Sequence, residues 1–259
     1  MTKLEFDDEF SQLMEEFNSS AGAVERRARI NAALDLKLGA QVLDVGSGPG
    51  HLAYEIAQVV GPDGHIEGVD SAEGLVEIGR RRCAGMENAS FTLGDAYDLP
   101  HDDGTFDTVM SSQVFEYLDD VPKALGEMFR VLKPGGRVLI HGTGWGALLW
   151  HSSDPERMSR IMKIWDGHLA DPRMPETMAR KLHDAGFVGV NAEPIVHVET
   201  SYDPGSMSAI LVKFVEGYLV SQGVSQAEVD AWAEELPNLG SSGDYFFSSN
   251  EYMFTADRP

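Results

Sequence analysis

Gln41-Val42-Leu43-Asp44-Val45-Gly46-Ser47-Gly48-Pro49-Gly50 carries the strongest structural signal in this 259-residue chain. A short apolar run ends in a glycine-rich segment, and Leu52, Ile56 and Val59 then recur on one helical face. The pattern is strand, tight turn, helix. Alternate glycines let a backbone adopt positive φ and pass close to a ligand. The start of the following helix offers free N–H groups to negative charge. After the turn Gly61-Pro62-Asp63-Gly64, residues His65 to Val69 read as a second strand that ends at Asp70. A carboxylate about 20 residues beyond such a glycine loop can accept hydrogen bonds from two ribose hydroxyls. Gly48-Pro49-Gly50-His51-Leu52-Ala53 also fits the dinucleotide pattern G-x-G-x-x-A, so the loop by itself leaves the nucleoside open.

Three more strands are expected downstream. Ser90 to Leu93 runs into Gly94-Asp95, and Phe106 to Met110 runs into Ser111-Ser112-Gln113. Arg137 to Ile140 follows a turn at Lys133-Pro134-Gly135-Gly136. Helices are expected over 73–85 and 121–132 between them. Strands alternating with helices predict an α/β fold with a doubly wound, mostly parallel sheet and helices on both faces. Ligands then bind beyond the carboxyl ends of the strands. The important positions are therefore Asp44 to Gly50, Asp70, Asp95, Ser111 to Gln113, and His141 onward.

Outside this core the pattern changes. Residues 1–38 read as a helical cap, 39–142 as the cofactor-binding core and 143–203 as an acceptor-side half. Residues 204–240 read as a helical insertion and 241–259 as the segment of a final strand, Tyr245 to Thr255. Val188 to Val198 reads as another strand, interrupted at Pro194. With about seven strands in all, this is one domain over 1–259. The net charge of −22 argues against nucleic acid and anionic membranes. Arg80-Arg81-Arg82 is expected to be a solvated helix face. A single cysteine, Cys83, excludes a disulfide scaffold and a thiol-based metal site. The acidic start has no apolar signal core, and no run reaches the ~20 residues of a membrane span. A cytoplasmic protein is expected; the oligomeric state is not encoded in any visible motif.

The ordered set of motifs from about 36 to 142 resembles the class I S-adenosylmethionine-dependent methyltransferases. It is similar to their small-molecule branch, which includes the ubiquinone and menaquinone biosynthesis methyltransferases. The resemblance implies a Rossmann-like fold with helical caps and S-adenosyl-L-methionine as cofactor. It implies Asp44, Gly46, Gly48 and Gly50 under the methionine part and Asp70 on the ribose hydroxyls. It further implies Ser71 beside the adenine, Asp95 and Ala96 on the adenine edge, and Ser111 with Gln113 flanking sulfonium and acceptor. The final strand would insert antiparallel beside the fifth.

A sulfonium methyl is already activated, so such an enzyme must align the acceptor, exclude water and, for a protonated acceptor, supply a base. His141, directly after the fifth strand, is the first candidate base, because an imidazole titrates near neutrality. Asp166 could orient it, and His168 is a further candidate. His51 could touch the cofactor or cap the turn. Glu116 and Tyr117 follow the fourth strand and could face the pocket, with a helix surface the preferred reading. Trp145, Trp150, Phe246 and Phe247 could line an acceptor pocket or fill the core, and Met158, Met162, Met174 and Met178 could form a lid surface or core. His101, His183 and His197 show no partner pattern, and no metal motif is visible. The expected function is methylation of a small organic acceptor, preferably on oxygen. Nitrogen or carbon methylation, cofactor-assisted cyclase or decarboxylase chemistry, and NAD-dependent oxidoreduction are the alternatives.

Overall fold

Val42, Leu43 and Val45 are all buried, which makes β1 (Gln41–Val45) a central strand covered on both faces. The computed structural model of the chain describes residues 8–259; residues 1–7 of the expected N-terminal cap lie outside the described residues. β1 pairs in parallel with β2 (His65–Asp70) on one side and with β4 (Phe106–Ser112) on the other. β3 (Ala89–Leu93) extends the first side and β5 (Leu132–Thr143) the second, both in parallel. The order of strands therefore reverses between β1 and β4, and the ligand crevice of such sheets opens at that point.

β8 (Phe247–Asp257) runs antiparallel to β5, with Thr143 opposite Glu251 and Arg137 opposite Asp257. β7 (Val188–Glu199) covers its other edge, also antiparallel. The two-residue β6 (Leu149–Trp150) continues the line of β5 against Phe247 and Ser248. The doubly wound, mostly parallel sheet and its inserted antiparallel strand thus agree with expectation. Three details differ. Lys133-Pro134-Gly135-Gly136 is no free turn but an irregular start of β5, where Gly135 at φ 76° donates to the Arg258 carbonyl at 2.8 Å. Pro194 does not interrupt β7, because it lies opposite Tyr252 on a strand with no further neighbour to require its missing N–H. The 204–240 insertion is two helices, α8 (Met207–Ser221) and α9 (Gln226–Ser242).

Among the remaining helices, α1 (Asp8–Ser19) and α2 (Ala21–Leu34) precede the sheet. α3 (His51–Val60), α4 (Glu73–Arg82) and α5 (Val121–Val131) are its crossovers, and α6 (Pro155–Trp165) and α7 (Pro175–Asp184) follow β6. Several starts are set locally. Asp120 and Asp154 each accept from a backbone N–H three residues on, followed by proline in the first turn. One sheet face packs Met110, Leu139 and Met253 against Ile30, Ile56 and Val76. The other packs Val109, Ile140 and Phe254 against Leu125, Met128 and Leu182. A third core joins α6, α8 and α9 around Trp232 and Trp165. Among the described residues, no helix is long and apolar enough to cross a membrane.

Candidate active site

The loop after β1 is built by glycines that no other residue could replace cheaply. Gly46, Gly48 and Gly50 have φ of 76°, 54° and 79°. A Cβ on Gly46 would stand 2.2 Å from the Val114 side chain, and one on Gly50 would meet Phe91. A Cβ on Gly48 would meet nothing within 4 Å, so open space lies above the middle of the loop. Asp44 Oδ1 and Ser47 Oγ are buried there without a hydrogen-bond partner among the described residues. Burial, with the charge of Asp70, pushes the Asp44 carboxyl up to about 7. Orphaned polar atoms beside an open glycine backbone fit a polar ligand with donor groups.

Asp70 ends β2 as expected. Its two oxygens accept from Gly48 N at 2.8 Å and Ala72 N at 2.9 Å, which ties the ends of β1 and β2 together. Each oxygen keeps a second lone pair for a ligand hydroxyl. Burial raises the Asp70 pKa, partly offset by those backbone donors. Ser71 is exposed beside it. Asp95 is exposed beyond β3, accepting from Tyr97 N at 2.9 Å, and Ala96 is half-buried next to it. The structure thus brings Asp44, the three glycines, Asp70 and Ser71 to one strand-end crevice, with Asp95 and Ala96 at the end of the neighbouring β3.

The end of β4 wraps around the end of β1. Ser111 Oγ donates to Val45 O at 2.7 Å, and Gln113 sits at φ 59°, a conformation that costs a non-glycine residue of order 1–3 kcal/mol and clusters at functional sites. The Gln113 amide exchanges two hydrogen bonds with Thr143 Oγ1, at 2.9 and 3.0 Å. Ser112, between them, bonds His141 Nδ1 at 2.9 Å. His141 Nε2 bonds Glu251 Oε2 at 3.1 Å, and Arg26 Nη1 reaches Glu251 Oε1 at 3.3 Å. Ser112 is the half-buried end of this chain, and the rest is buried, with His141 at 0%, Glu251 at 3% and Arg26 at 5% exposure. Burial works against the Glu251 charge, but Arg26 and His141 outweigh it and hold the carboxyl down at about 2. Burial lowers the pKa of His141, partly countered by Glu251.

The carboxylate on His141 is therefore Glu251 of β8, and Asp166 is not its orienter. The Asp166 side chain makes no hydrogen bond within the described residues; burial raises its pKa. Asp166 and His168 belong to one 3₁₀ turn, where residues two apart project in different directions, so they form no pair either. His168 is instead enclosed by rings, with centroids 3.8 Å from Trp165, 5.5 Å from Tyr218 and 5.9 Å from Trp145. Burial lowers its pKa to about 4.

Other expectations are corrected by packing. Glu116 is no surface residue: it is fully buried under β5, accepts from Thr143 N at 3.3 Å, and is pushed up to about 7 by burial. Trp150, Phe247, Met158, Met174 and Met178 are core, whereas Trp145 is half-buried and Phe246 exposed. Arg80 and Arg81 are exposed, as expected of a solvated face, whereas Arg82 is half-buried where the end of α4 abuts the glycine loop. Arg80 donates to Phe91 O, and Arg82 donates to Pro49 O and to both oxygens of Glu15 on α1. His51 Nε2 lies 3.4 Å from the same Glu15, and burial with Arg82 lowers its pKa to about 4. His101 and His197 have partners after all, Glu67 and Glu199. Glu251 and Arg26 were missed. Their signal was present: Arg26, Ile30 and Leu34 share one helical face, and Glu251 is the one charge between Ser248 and Phe254 in the last strand.

A family model described as a methyltransferase domain matches residues 36–181. An uncharacterized 37.1 kDa protein in transposon TN4556 of Streptomyces fradiae is 32% identical over 229 residues, 86% of this chain and 64% of that one. A demethylmenaquinone methyltransferase of Symbiobacterium thermophilum is 41% identical over 124 residues, 46% of this chain and 49% of its own length. The chain thus spans about half to two-thirds of the curated relatives it matches. The solved structure of Haemonchus contortus phosphoethanolamine N-methyltransferase 2 with S-adenosyl-L-methionine superposes with a TM-score of 0.65 at 19% identity, over 98% of this chain and 58% of that one.

Proposed function

This chain belongs to the class I S-adenosylmethionine-dependent methyltransferases, and we propose that it methylates an oxygen of a small organic acceptor held beyond the ends of β4 and β5. The bound cofactor supplies a methyl group already activated on a sulfonium; all else falls to the chain's own residues. Asp44, Gly46, Gly48 and Gly50, with Asp70, Ser71, Asp95 and Ala96, hold the nucleoside and its amino-acid tail. Ser111 and Gln113 line the place where cofactor and acceptor meet. The orphaned Asp44 Oδ1 and Ser47 Oγ and the open space over Gly48 support that assignment. Residues 143–259, with α1 and α2, supply the acceptor side.

One observation favours oxygen: an imidazole, His141, lies at the strand ends with a carboxylate on one nitrogen and a hydroxyl on the other. A proton sink of that kind is needed when the acceptor must lose a proton and is superfluous otherwise. The net charge of −22 favours a small molecule over nucleic acid or an anionic membrane. A single, buried cysteine suits the cytoplasm.

The test is calorimetric titration with S-adenosylhomocysteine, S-adenosylmethionine and NAD in parallel. An acceptor screen over phenols, amines and activated methylene compounds follows, read as S-adenosylhomocysteine release. Micromolar binding of the two sulfur nucleosides and turnover of phenols is expected. Turnover confined to amines or carbon acids would remove the oxygen assignment. Turnover without loss of the methyl group would move the chain to cyclase or decarboxylase chemistry.

A further inference from the structure

We propose that Ser112 is the residue that takes the acceptor's proton, handing its own to His141, so that Ser112, His141 and Glu251 work as one relay. The proposal rests on the oxygen-methylation reading above and deepens it.

His141 has no exposed surface, and both of its nitrogens are engaged. It cannot touch an acceptor directly. Ser112 is the half-buried end of the same chain and the last residue of β4. It sits between Ser111, bonded to the end of β1, and Val114, whose side chain packs where a Cβ of Gly46 would stand. The one accessible group of the relay therefore stands at the end of β4, between residues that meet β1 and the glycine loop.

Hydrogen-bond chemistry gives the direction. Glu251 is a carboxylate fixed by Arg26, so it can only accept. His141 Nε2 must then carry the hydrogen. In a neutral imidazole Nδ1 is left with a lone pair, and the Ser112 hydroxyl donates to it. The Ser112 oxygen keeps two lone pairs for an incoming O–H. As the acceptor oxygen bonds to the methyl carbon, its O–H bond breaks and the proton goes to Ser112 Oγ. The Ser112 hydroxyl proton goes to His141 Nδ1, and the electron pair of the broken carbon–sulfur bond stays on sulfur. The imidazolium so formed faces Glu251, which Arg26 keeps from taking the proton. After the ether product leaves, the proton returns through Ser112 to solvent. The product has no O–H to give Ser112, which favours its release.

Two charged groups act on His141, Glu251 on β8 and Arg26 on α2, while Glu116 beyond β4 and His197 on β7 in turn feel Glu251. Glu251 and Arg26 are positioning residues, since they act through His141.

The deciding experiment is nitrogen NMR of the protein with 15N-labelled histidine, bound to S-adenosylhomocysteine. Between about pH 5 and 8, the range in which a free imidazole would change charge, His141 is expected to remain neutral with hydrogen on Nε2. Ser112→Ala should shift the Nδ1 resonance and leave the Nε2 hydrogen in place, and Ser112→Thr should restore it. A hydrogen on Nδ1, or an imidazolium across this range, overturns the relay, because Ser112 would then be an acceptor with nothing to pass on. Kinetics with phenol and catechol give the second arm. Ser112→Ala should slow turnover by about 10²-fold near pH 7, with the deficit shrinking as pH approaches the phenol's own pKa, and Ser112→Thr should recover most of the rate. A deficit independent of pH, or none, overturns the role. Calorimetry with S-adenosylhomocysteine separates the two levels: failure of the wild type to bind it removes the methyltransferase reading, while the same tautomer measurement on the free protein still decides which nitrogen of His141 carries the hydrogen.

Discussion

The cofactor half and the acceptor half of the molecule are held together by different kinds of contact. In the first, the contacts are short in sequence and made largely by backbone. Asp70 binds Gly48 N and Ala72 N, 22 and 2 residues away, and the loop is shaped by the φ angles of three glycines. In the second, side chains far apart in sequence meet each other. Arg26 and Glu251 are 225 residues apart, His141 and Glu251 110, and Ser152 and Glu235 83. A loop that binds the same nucleoside in every family member can be written locally. A surface that must suit one acceptor is assembled from whatever the fold brings together, and it can be rebuilt without touching the loop.

If the halves are separable in this way, damage to one should spare the other. The largest effect is expected from Trp232→Ala. Trp232 is fully buried in the third core, edge-on to Trp150 at 5.7 Å, and truncation should cost about 3–5 kcal/mol of stability. Urea unfolding measures this, while the S-adenosylhomocysteine Kd of the folded fraction should stay within about twofold. An affinity that falls in step with stability would show that the halves are one energetic unit. Asp70→Ala is the mirror case. It should weaken S-adenosylhomocysteine by roughly 1.5–3 kcal/mol through lost charge-assisted hydrogen bonds, about 10- to 150-fold in Kd. An unchanged Kd by calorimetry removes Asp70 from the ribose.

The same division explains what could be read from residues alone. The strand–turn–helix at 41–60, Asp70 at the end of β2 and the parallel direction of β1 to β5 were legible because each follows from a local strand–helix alternation. The antiparallel β8 came through the family resemblance, and it does pair antiparallel with β5. The partner of His141 was not legible in that way. Asp166 was closer in sequence and carried the right chemistry, but the 3₁₀ turn holds it apart, while strand insertion delivers Glu251 across the sheet. Glu116 misled for a related reason: four residues past a strand it looks like helix surface, yet its backbone carbonyl accepts from Ala170 and Asp171, which close over it. Long-range closure of this kind leaves no local pattern.

Within the cofactor half, binding and stability should pull in opposite directions at Asp44. Its pKa is raised from 3.8 to about 7, so the folded protein favours the protonated form. The charge therefore destabilises the fold increasingly as pH rises from about 4, and fully above about 7. Asp44→Asn removes it. The variant should gain on the order of 1–2 kcal/mol over the wild type at pH 8, nothing at pH 4, and bind S-adenosylhomocysteine more weakly. Melting curves across that range check the sign; a gain that is larger at low pH contradicts the assignment.

The smallest expected effect tests the contrast at two helix starts. α3 begins at Gly50, which has no side chain to cap it, and the first N–H groups of that helix face the loop. α8 begins at Ser206, extended at φ −75° and ψ 160°, whose hydroxyl accepts from Ala209 N at 3.3 Å. A start that is closed by its own sequence has nothing left to offer a ligand, whereas an open one depends on the ligand for its partners. Ser206→Ala should therefore cost about 1 kcal/mol, a fall of roughly 2–4 °C in Tm. The rise in Tm on adding S-adenosylhomocysteine should be the same for variant and wild type, because that rise is set by groups at α3 and not at α8. A smaller ligand-induced rise in the variant would mean that α8 takes part in closing the cofactor site, and the two helix starts would no longer belong to separate halves.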